Sequence, residues 1–537
     1  MKLSSLIAPF AAAALLAVAH AAQAQSGIRN PMTQAVLSVY EEELRENPNN
    51  YEVLMNRAEE YFRHDEFIRA LDDINRAIEL IPASEQETML HARMLRAGIY
   101  NQTHRSAEAL ADLTEAERLA PGSYAVVHQK ANTEFATGDY PHAKADYQRM
   151  IRLNPRGSEA YIGLARVAVK ENNMGVANEM LENAVNLDPN NADTYIRRAE
   201  VRKAMNNHNG AVDDLILALS VDSENSRAMA ALVEYGNTNY PATMAGLSSA
   251  VSAAPRIGMY RYLRAGIAQA HYHYLAALQD YQTIISERLY NYHGIYASMA
   301  ECQFALCRFD EALNNIDYAL GMVRDNTSSY YALRSRILRA MGRLDDAIAA
   351  ALIATTSDSQ NGDALTELAL AYAAKGRYDE ASTLLGEASL NDAEDPRYPM
   401  LRAWVLETGL NNPNAAAQQY RKVADMDHFF VDNPRSLKGF ALLFLGEREQ
   451  ADRWMENILR TVDDHDGVVN YYGACYYAQA GDYEKALECA VKALDLGFGN
   501  YFDWTELRDG RVNVGPLRDD LRFLNQLSRH NSIFGIE

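Results

Sequence analysis

The sequence is poor in the residues that build disulfide-rich, fibrous or membrane-spanning proteins. Only 4 cysteines and 15 prolines occur among 537 residues, which excludes a disulfide framework and a collagen-like or proline-rich chain. The 29 glycines are few for an all-β protein of this length. Because 48% of the residues are hydrophobic and 23% are charged, the composition is globular, and alanine runs such as DDAIAAALIA favour helices.

Basic residues are also scarce. The chain has 51 Lys and Arg against 72 Asp and Glu, a net charge of −21. Because nucleic acids and anionic lipids attract basic surfaces, the acidic balance opposes both as partners. The charge is consistent with keeping a large exposed surface soluble, and a cationic partner is the alternative.

The N-terminus carries the pattern of a signal peptide. Lys2 precedes a short apolar stretch, Leu6–Ala19, and small residues at Ala22 and Ala24 flank Gln23. We predict a signal peptide over residues 1–24, cleaved after Ala24, because the apolar stretch is too short for a comfortable membrane span. No later segment approaches 18 uninterrupted apolar residues, so we expect the mature chain to lack a transmembrane span. Cleavage of the signal peptide would also remove Lys2, which would leave the mature chain with a net charge of −22. The signal has a bacterial character, which favours a periplasmic location over full secretion.

A small residue recurs thirteen times at intervals of 32 to 39 residues. It closes phrases such as RYDEA, which ends at Ala381, and its relatives FDEA, LDDA and DYEKA. The thirteen positions are Ala70, Ala109, Ala143, Ala177, Ala211, Thr243, Ala277, Ala312, Ala347, Ala381, Ala416, Ala451 and Ala486. A second small residue precedes each by twelve positions, except in repeat eleven, where Trp404 falls in register and Ala403 is one residue away.

Each repeat contains two apolar segments of helical period, separated by a short polar or glycine-rich turn. In repeat ten we predict helices near Gly362–Ala374 and Tyr378–Ala388. Small residues at the recurring positions let two helices approach closely, and neighbouring repeats must stack to bury the remaining apolar surface. Asp379 and Glu380 then begin a second helix and point to solvent, so we interpret them as structural and not as a catalytic pair.

These repeats resemble the tetratricopeptide repeat. The match includes a tyrosine at position 11 (Tyr61, Tyr100, Tyr372 and Tyr477) and a proline at position 32 (Pro82, Pro121, Pro155, Pro189 and Pro255). It covers about residues 50–495, with a degenerate sixth repeat near residues 225–255 where we place a bend. The resemblance implies an all-α, right-handed superhelical solenoid of about thirteen helix-turn-helix repeats.

Both ends of the array resemble capping segments. Residues 25–49 include a stretch that resembles an isolated second helix ending at Pro48, and residues 496–537 resemble the segment that closes many bacterial arrays. We expect a final helix from about Arg518 to Arg529. The residues predicted to cover the last repeat are Trp504, Leu507, Leu517, Phe523 and Leu527.

The sequence contains few candidate motifs for catalysis or metal binding. It lacks a nucleophile elbow, a phosphate-binding loop, a zinc-protease helix and a dinucleotide fingerprint. His271 and His273 fall in a predicted turn without an obvious third ligand, so we interpret them as surface histidines. The cysteines are expected to be buried thiols, with a disulfide between Cys475 and Cys489 left open. We therefore predict no catalytic residue, no cofactor and no metal site.

The resemblance implies that a partner binds in the concave groove of the array, through defined positions of the first helices. Residues 258–331 hold 11 of the 32 tyrosines, and aromatic and arginine residues are common binding anchors. The groove candidates in repeats seven to nine are Tyr262, Gln269, Glu301, Phe304, Arg336 and Arg339. The implied function is a scaffold for protein–protein interaction in the cell envelope, with an unidentified protein or peptide as partner. A receptor for a peptide or cell-wall component is the alternative, and an enzyme is the less favoured one.

Overall fold

Helices account for the regular structure of the described residues. The computed structural model describes residues 31–426, 434–506, 510 and 512–536, and this part of the chain contains no β-strand. The predicted signal peptide, residues 1–24, and Leu507 lie outside the described residues. No helix within the described ranges is both long enough and apolar enough to cross a membrane.

The described helices form thirteen pairs between Tyr51 and Asp495, one for each repeat, and an all-α repeat architecture is thereby confirmed. The first helices are Tyr51–Arg63, Gln86–Gln102, Tyr124–Thr137, Ser158–Lys170, Ala192–Ala204, Ser226–Thr238, Gly258–Ala270, His293–Ala305, Ser328–Ala340, Gly362–Ala374, Arg397–Trp404, Pro434–Phe444 and Val468–Gln479. The second helices are Phe67–Leu80, Ser106–Leu119, Tyr140–Leu153, Met174–Leu187, His208–Val221, Tyr240–Ala253, Tyr274–Ser286, Phe309–Met322, Leu344–Ser357, Tyr378–Asn391, Pro413–Ala424, Arg448–Thr461 and Tyr483–Asp495.

Two compact units divide the chain, and the boundary lies between Ala231 and Leu232. This boundary falls within the first helix of repeat six. The first unit therefore contains repeats one to five, and the second contains repeats seven to thirteen and the C-terminal segment. A bend at repeat six stays a prediction.

The recurring small residues lie where the helices pack. Twelve alanines and Thr243 at the main recurring position are all between 0% and 1% exposed. In repeat ten, Ala381 is fully buried, whereas Asp379 and Glu380 are exposed in the first turn of the second helix. Arg377 pairs with Glu380 at 2.7 Å (Nη2 to Oε1), and this hydrogen bond lowers the pKa of Glu380. The structural interpretation of RYDEA is therefore confirmed.

The shift of register in repeat eleven comes from one extra residue in its first helix. The α-helix Arg397–Trp404 continues as a π-helical turn, Val405–Gly409. The amide of Leu410 donates to the carbonyl of Val405, five residues earlier, at 3.2 Å. Because a π turn absorbs one additional residue, fully buried Ala403 takes the small position and Ala416 returns to register.

Repeat six is short because its turn is short. Its helices Ser226–Thr238 and Tyr240–Ala253 are separated by Asn239 alone. Most other repeats place three residues there, as between Lys170 and Met174. The missing residues are thus lost from the turn, while Thr243 remains fully buried at the helix contact.

An ion pair joins the two helices of several repeats at a separation of sixteen residues. A basic residue of the first helix meets an aspartate of the second. The pairs are Arg57–Asp73, Arg96–Asp112, Lys130–Asp146, Arg198–Asp214 and Arg264–Asp280. Asp214 is fully buried and is also reached by Arg202 at 2.9 Å. Each pair fixes one helix against its partner within the repeat.

Additional helices precede and follow the thirteen pairs. Helix Pro31–Glu46 packs Leu37 and Leu44 against the core of repeat one. After repeat thirteen come the helices Tyr501–Thr505, Leu521–Arg529 and Asn531–Phe534, with a 3-10 turn at Gly515–Leu517. The residues that enter the core with repeat thirteen include Trp504, Leu517, Phe523 and Leu527. The helix predicted from Arg518 begins at Leu521, because Asp520 accepts the amide of Arg522 and caps it.

Candidate partner-binding surface

The six candidate groove residues lie in the first helices of three consecutive repeats. Gly258–Ala270 carries Tyr262 and Gln269, His293–Ala305 carries Glu301 and Phe304, and Ser328–Ala340 carries Arg336 and Arg339. Their contacts divide them into three groups: a polar series, a tyrosine cluster and an aromatic contact. Whether they bind a partner stays a prediction.

The polar series begins between repeats seven and eight. Gln269 is 2% exposed and donates from Nε2 to Glu301 Oε2 at 2.7 Å. Its Oε1 accepts the hydroxyl of Tyr281 at 3.0 Å, which fixes the orientation of the amide. Burial raises the pKa of Glu301 to about 6, although Arg336 and the Gln269 hydrogen bond favour the ionised form. Glu301 is therefore an acid whose charge changes close to neutral pH.

Two arginines of repeat nine hold one glutamate of repeat ten. Arg336 Nε lies 2.7 Å from Glu367 Oε1, and Arg339 Nη2 lies 2.9 Å from Glu367 Oε2. Burial opposes ionisation of Glu367, but the two guanidinium groups prevail and lower its pKa. The side chain of Glu367 is 4% exposed, whereas Arg336 keeps 33% of its side chain in contact with solvent. Arg336 is thus an oriented cation that a ligand can still reach.

The sign of charge alternates from repeat to repeat along these first helices. Glu301 of repeat eight is followed by Arg336 of repeat nine, Asp363 of repeat ten and Arg397 of repeat eleven. Arg397 Nη1 lies 3.5 Å from Asp363 Oδ1. Opposite charges on neighbouring helices attract each other, so this alternation also supports the stacking of the repeats.

Sequence reasoning missed Asp363, Glu367 and Arg397. The predicted groove residues belong to repeats seven to nine, whereas Asp363 and Arg397 lie in repeats ten and eleven. Glu367 occupies position 6 of its repeat, which was not among the positions considered. The available signal was the alternation of acid and base on successive first helices.

Tyr262 belongs to a tyrosine cluster at the beginning of the first helices. Its ring centroid is 6.3 Å from that of Tyr281 and 6.0 Å from that of Tyr290. Tyr262 is 6% exposed, and among the described residues its hydroxyl has no hydrogen-bond partner. Nearby, His293 Nδ1 lies 2.7 Å from the hydroxyl of Tyr330. Burial raises the pKa of Tyr262, so the hydroxyl stays protonated and can donate a hydrogen bond.

Phe304 meets an aromatic residue from the C-terminal segment. Its ring centroid lies 4.6 Å from that of Phe502 and 5.7 Å from that of Phe309. Phe304 is 9% exposed. The local sequence of repeat eight gives no sign of this contact, because Phe502 lies almost 200 residues later.

The interpretation of His271 as a surface residue is wrong. His271 is 8% exposed, and its Nδ1 lies 3.0 Å from Asp466 Oδ2. The reason is the contact that this turn makes with the connection before repeat thirteen. Within the described ranges, no group of three or more His, Cys, Asp and Glu side chains is placed to hold a metal ion. None of the four cysteines forms a disulfide, so Cys475 and Cys489 are not bonded to each other.

Stacked helix pairs with recurring small residues at their contacts define an α-helical repeat protein. Family models for the tetratricopeptide repeat match residues 128–192 and residues 338–405. The first match lies in repeats three and four, and the second extends from repeat nine into repeat eleven. The chain therefore contains tetratricopeptide repeats.

Several solved structures of repeat proteins are similar to parts of this chain. A tetratricopeptide repeat protein from Parabacteroides merdae ATCC 43184 is 14% identical, covering 54% of this chain and 98% of that one, with a TM-score of 0.28. YrrB, described as having an unusual peptide-binding site, is 19% identical, with 36% and 96% covered and a TM-score of 0.28. PilF from Pseudomonas aeruginosa is 14% identical, with 40% and 96% covered and a TM-score of 0.31. No curated protein matches the chain.

Proposed function

We propose that this protein is an exported scaffold that holds a partner protein through the first-helix face of repeats eight to ten. Tetratricopeptide repeats typically act in protein–protein interaction and are typically not catalytic. Export is proposed from the signal-peptide pattern of residues 1–24, which would place the mature chain in the periplasm or outside the cell.

The observation that carries the proposal is the position of Arg336. It lies between the acids Glu301 and Glu367, its guanidinium is oriented by Glu367, and a third of its side chain remains accessible. An oriented arginine binds a carboxylate or a backbone carbonyl at a smaller cost in side-chain entropy than a freely moving one. Repeats eight to ten thus offer a partially prepared polar anchor for an extended segment of a partner.

A matched pair of substitutions tests this proposal. Arg334 lies on the same helix as Arg336 and also forms an ion pair, but with Asp317 of the preceding second helix, at 2.6 Å (Nε to Oδ1). Both arginines are partly exposed, so Arg334→Ala controls for loss of a charge and an ion pair. Tagged full-length chain would be crosslinked in its native envelope and recovered under denaturing conditions.

We expect Arg336→Ala to lose the crosslinked partner at least tenfold and Arg334→Ala to retain it. Equal recovery of the partner by the two variants would contradict binding at the first-helix face of repeats eight to ten. Recovery of cell-wall fragments without any protein would favour the receptor alternative. Turnover of a substrate that is abolished by a single acidic substitution would favour an enzyme.

A further inference from the structure

Two parts of the second compact unit that are distant in sequence meet in space. The turns of repeats seven and eight contact the C-terminal segment, residues 496–536. The amide of Gly499 donates to the carbonyl of Tyr272 at 3.1 Å, and Arg308 Nη2 donates to the carbonyl of Gly535 at 3.4 Å. The segment that follows repeat thirteen therefore returns to repeats seven and eight.

Glycines make this close approach possible. A Cβ atom at position 499 would lie 2.6 Å from the carbonyl oxygen of Tyr272, too close for any other residue without a shift. Gly535 has a φ of +66°, and a Cβ there would lie 2.9 Å from Arg308 Nη2. Since both glycines meet residues of repeats seven and eight, the contact is built into the sequence of the C-terminal segment.

Phe502 is the side chain through which the C-terminal segment contacts the core of repeats eight and nine. Its neighbours Phe498 and Trp504 are fully buried in the core shared with repeat thirteen. Phe502 instead packs against the separate core of repeats eight and nine. Its ring centroid lies 4.6 Å from that of Phe304 and 6.1 Å from that of Phe309. We call the site formed by Phe304 and Phe309 the aromatic slot.

The aromatic slot is continuous with the proposed partner-binding face. Phe304 lies three residues after Glu301 in the same helix, so the slot and the polar series share the first helix of repeat eight. A partner segment that lay along this face and extended toward the turn of repeat eight would meet Phe502 in the slot.

We propose that the C-terminal segment is an autoinhibitory element whose Phe502 fills the aromatic slot until a partner displaces it. The partner would present an aromatic side chain on a short helical turn, as Phe502 is presented by Tyr501–Thr505. This inference rests on the proposed function, since it regulates the same face. A partner with such an aromatic side chain can displace Phe502 only if the contact of Phe502 with the aromatic slot opens reversibly.

The chain's own peptide is the probe with known chemistry. A fluorescein-labelled peptide of residues 498–506 would be titrated with the full-length chain and followed by fluorescence anisotropy. We expect the Phe502→Ala chain to bind the peptide at least tenfold more tightly than the unmodified chain. The same peptide with alanine in place of Phe502 should not bind either chain. Tyr318→Ala removes an exposed aromatic side chain from the second helix of repeat eight and should behave as the unmodified chain.

Equal binding by the unmodified and Phe502→Ala chains, or binding by neither, would overturn the proposal. Either result would leave the proposed function standing, because the proposed function is tested by capture of a partner and not by this peptide. Conversely, if Arg336→Ala and Arg334→Ala captured a partner equally while the Phe502→Ala chain bound the peptide tightly, only the proposed function would be contradicted.

A disulfide lock gives a second, independent measurement. The side chain of Thr505 lies close to the Cys307 thiol, so Thr505→Cys would place a second thiol beside it. Backbone hydrogen exchange of residues 498–506 in the unmodified chain should be faster than that of helix Tyr483–Asp495. Oxidised Thr505→Cys should slow it at least tenfold, and Cys307→Ala in the same background should abolish this slowing. If residues 498–506 exchange as slowly as the helix in the unmodified chain, the segment is a permanent part of the core and the proposal falls.

Discussion

At the scale of the residue, alanine sets the distance between helices. Ala381 lies in a core with Ala369, Ala373, Leu385 and Val405 and has no exposed surface. A packed interior accommodates an added side chain only by moving its neighbours, and here the neighbours are other helices. The same limit applies at each of the thirteen recurring positions, which is why a small residue returns there.

Replacing Ala381 with leucine should lower the free energy of unfolding by about 1–3 kcal/mol, because three added carbon atoms overpack a helix contact. The change would be measured as a lower urea midpoint, followed by circular dichroism. Thr383 is exposed on the same helix, so Thr383→Leu should change stability by less than about 0.5 kcal/mol. If the urea midpoint of Ala381→Leu equalled that of Thr383→Leu, position 381 would accommodate a larger side chain and the prediction would be wrong.

Glu134 in repeat three is a buried acid with an unusual proton affinity. Burial, together with Asp146, raises its pKa from 4.5 to about 7, and Lys130 and His142 oppose this only in part. Among the described residues its Oε2 has no hydrogen-bond partner. The folded state therefore binds the proton more tightly than the unfolded state does.

It follows that the contribution of Glu134 to stability is full below pH 4.5 and is lost as the pH rises through 7. Glu134→Gln keeps the shape without the charge and should raise the free energy of unfolding at pH 8 by about 1–3 kcal/mol. At pH 4 the two chains should be nearly equal. Urea midpoints across this range test the sign, with partly exposed Glu115→Gln as the control, and a benefit confined to low pH would contradict it.

At the scale of the element, buried ion pairs hold the two helices of a repeat together. Arg198 Nη2 lies 2.6 Å from Asp214 Oδ1, with side chains 9% and 0% exposed. Removing one member strands a charge in the interior, whereas replacing both by apolar residues removes that penalty.

Asp214→Ala should therefore cost about 3–5 kcal/mol of unfolding free energy. The double change Arg198→Met with Asp214→Leu should cost less, because only Arg202, whose side chain is 20% exposed, then lacks its partner. The pair Arg63–Glu59 lies on the surface, with side chains 59% and 36% exposed. Arg63→Ala should cost less than about 1 kcal/mol. A double variant as unstable as Asp214→Ala would mean that the ion pair itself is net stabilising.

The elements also show which features a sequence can predict. Helix pairs and their small contacts recur at a fixed spacing, so the position of Ala381 was predictable from local pattern alone. The π turn at Val405–Gly409 was visible only as a one-residue slip, since its hydrogen bonds depend on how the extra residue is absorbed. The clamp of Glu367 by Arg336 and Arg339 needs the stacking of two repeats. The contact of Phe502 with Phe304 depends on the path of the whole second unit, which no local pattern records.

At the scale of the whole molecule, the net charge and the proposed export would define the setting in which a partner is met. A net charge of −21 speeds encounter with basic surfaces and disfavours acidic ones. Export is the part of the proposed setting that can be tested without a partner. Mass spectrometry of the protein purified from its native host should find Gln25 as the first residue. An intact N-terminus with Lys2 retained would contradict export by a cleaved signal.

The central claim is that a partner protein lies against the first-helix face of repeats eight to ten, beside Arg336. The most direct measurement is photo-crosslinking in living cells, with benzoylphenylalanine placed in turn at positions 340 and 334 of the full-length chain, so that Arg336 is kept. Ala340 lies one helical turn after Arg336 and is partly exposed. The account predicts one discrete crosslinked protein from position 340, identified by mass spectrometry, and at most a tenth of that yield from position 334. A discrete protein crosslinked from position 334, with none from position 340, would contradict it.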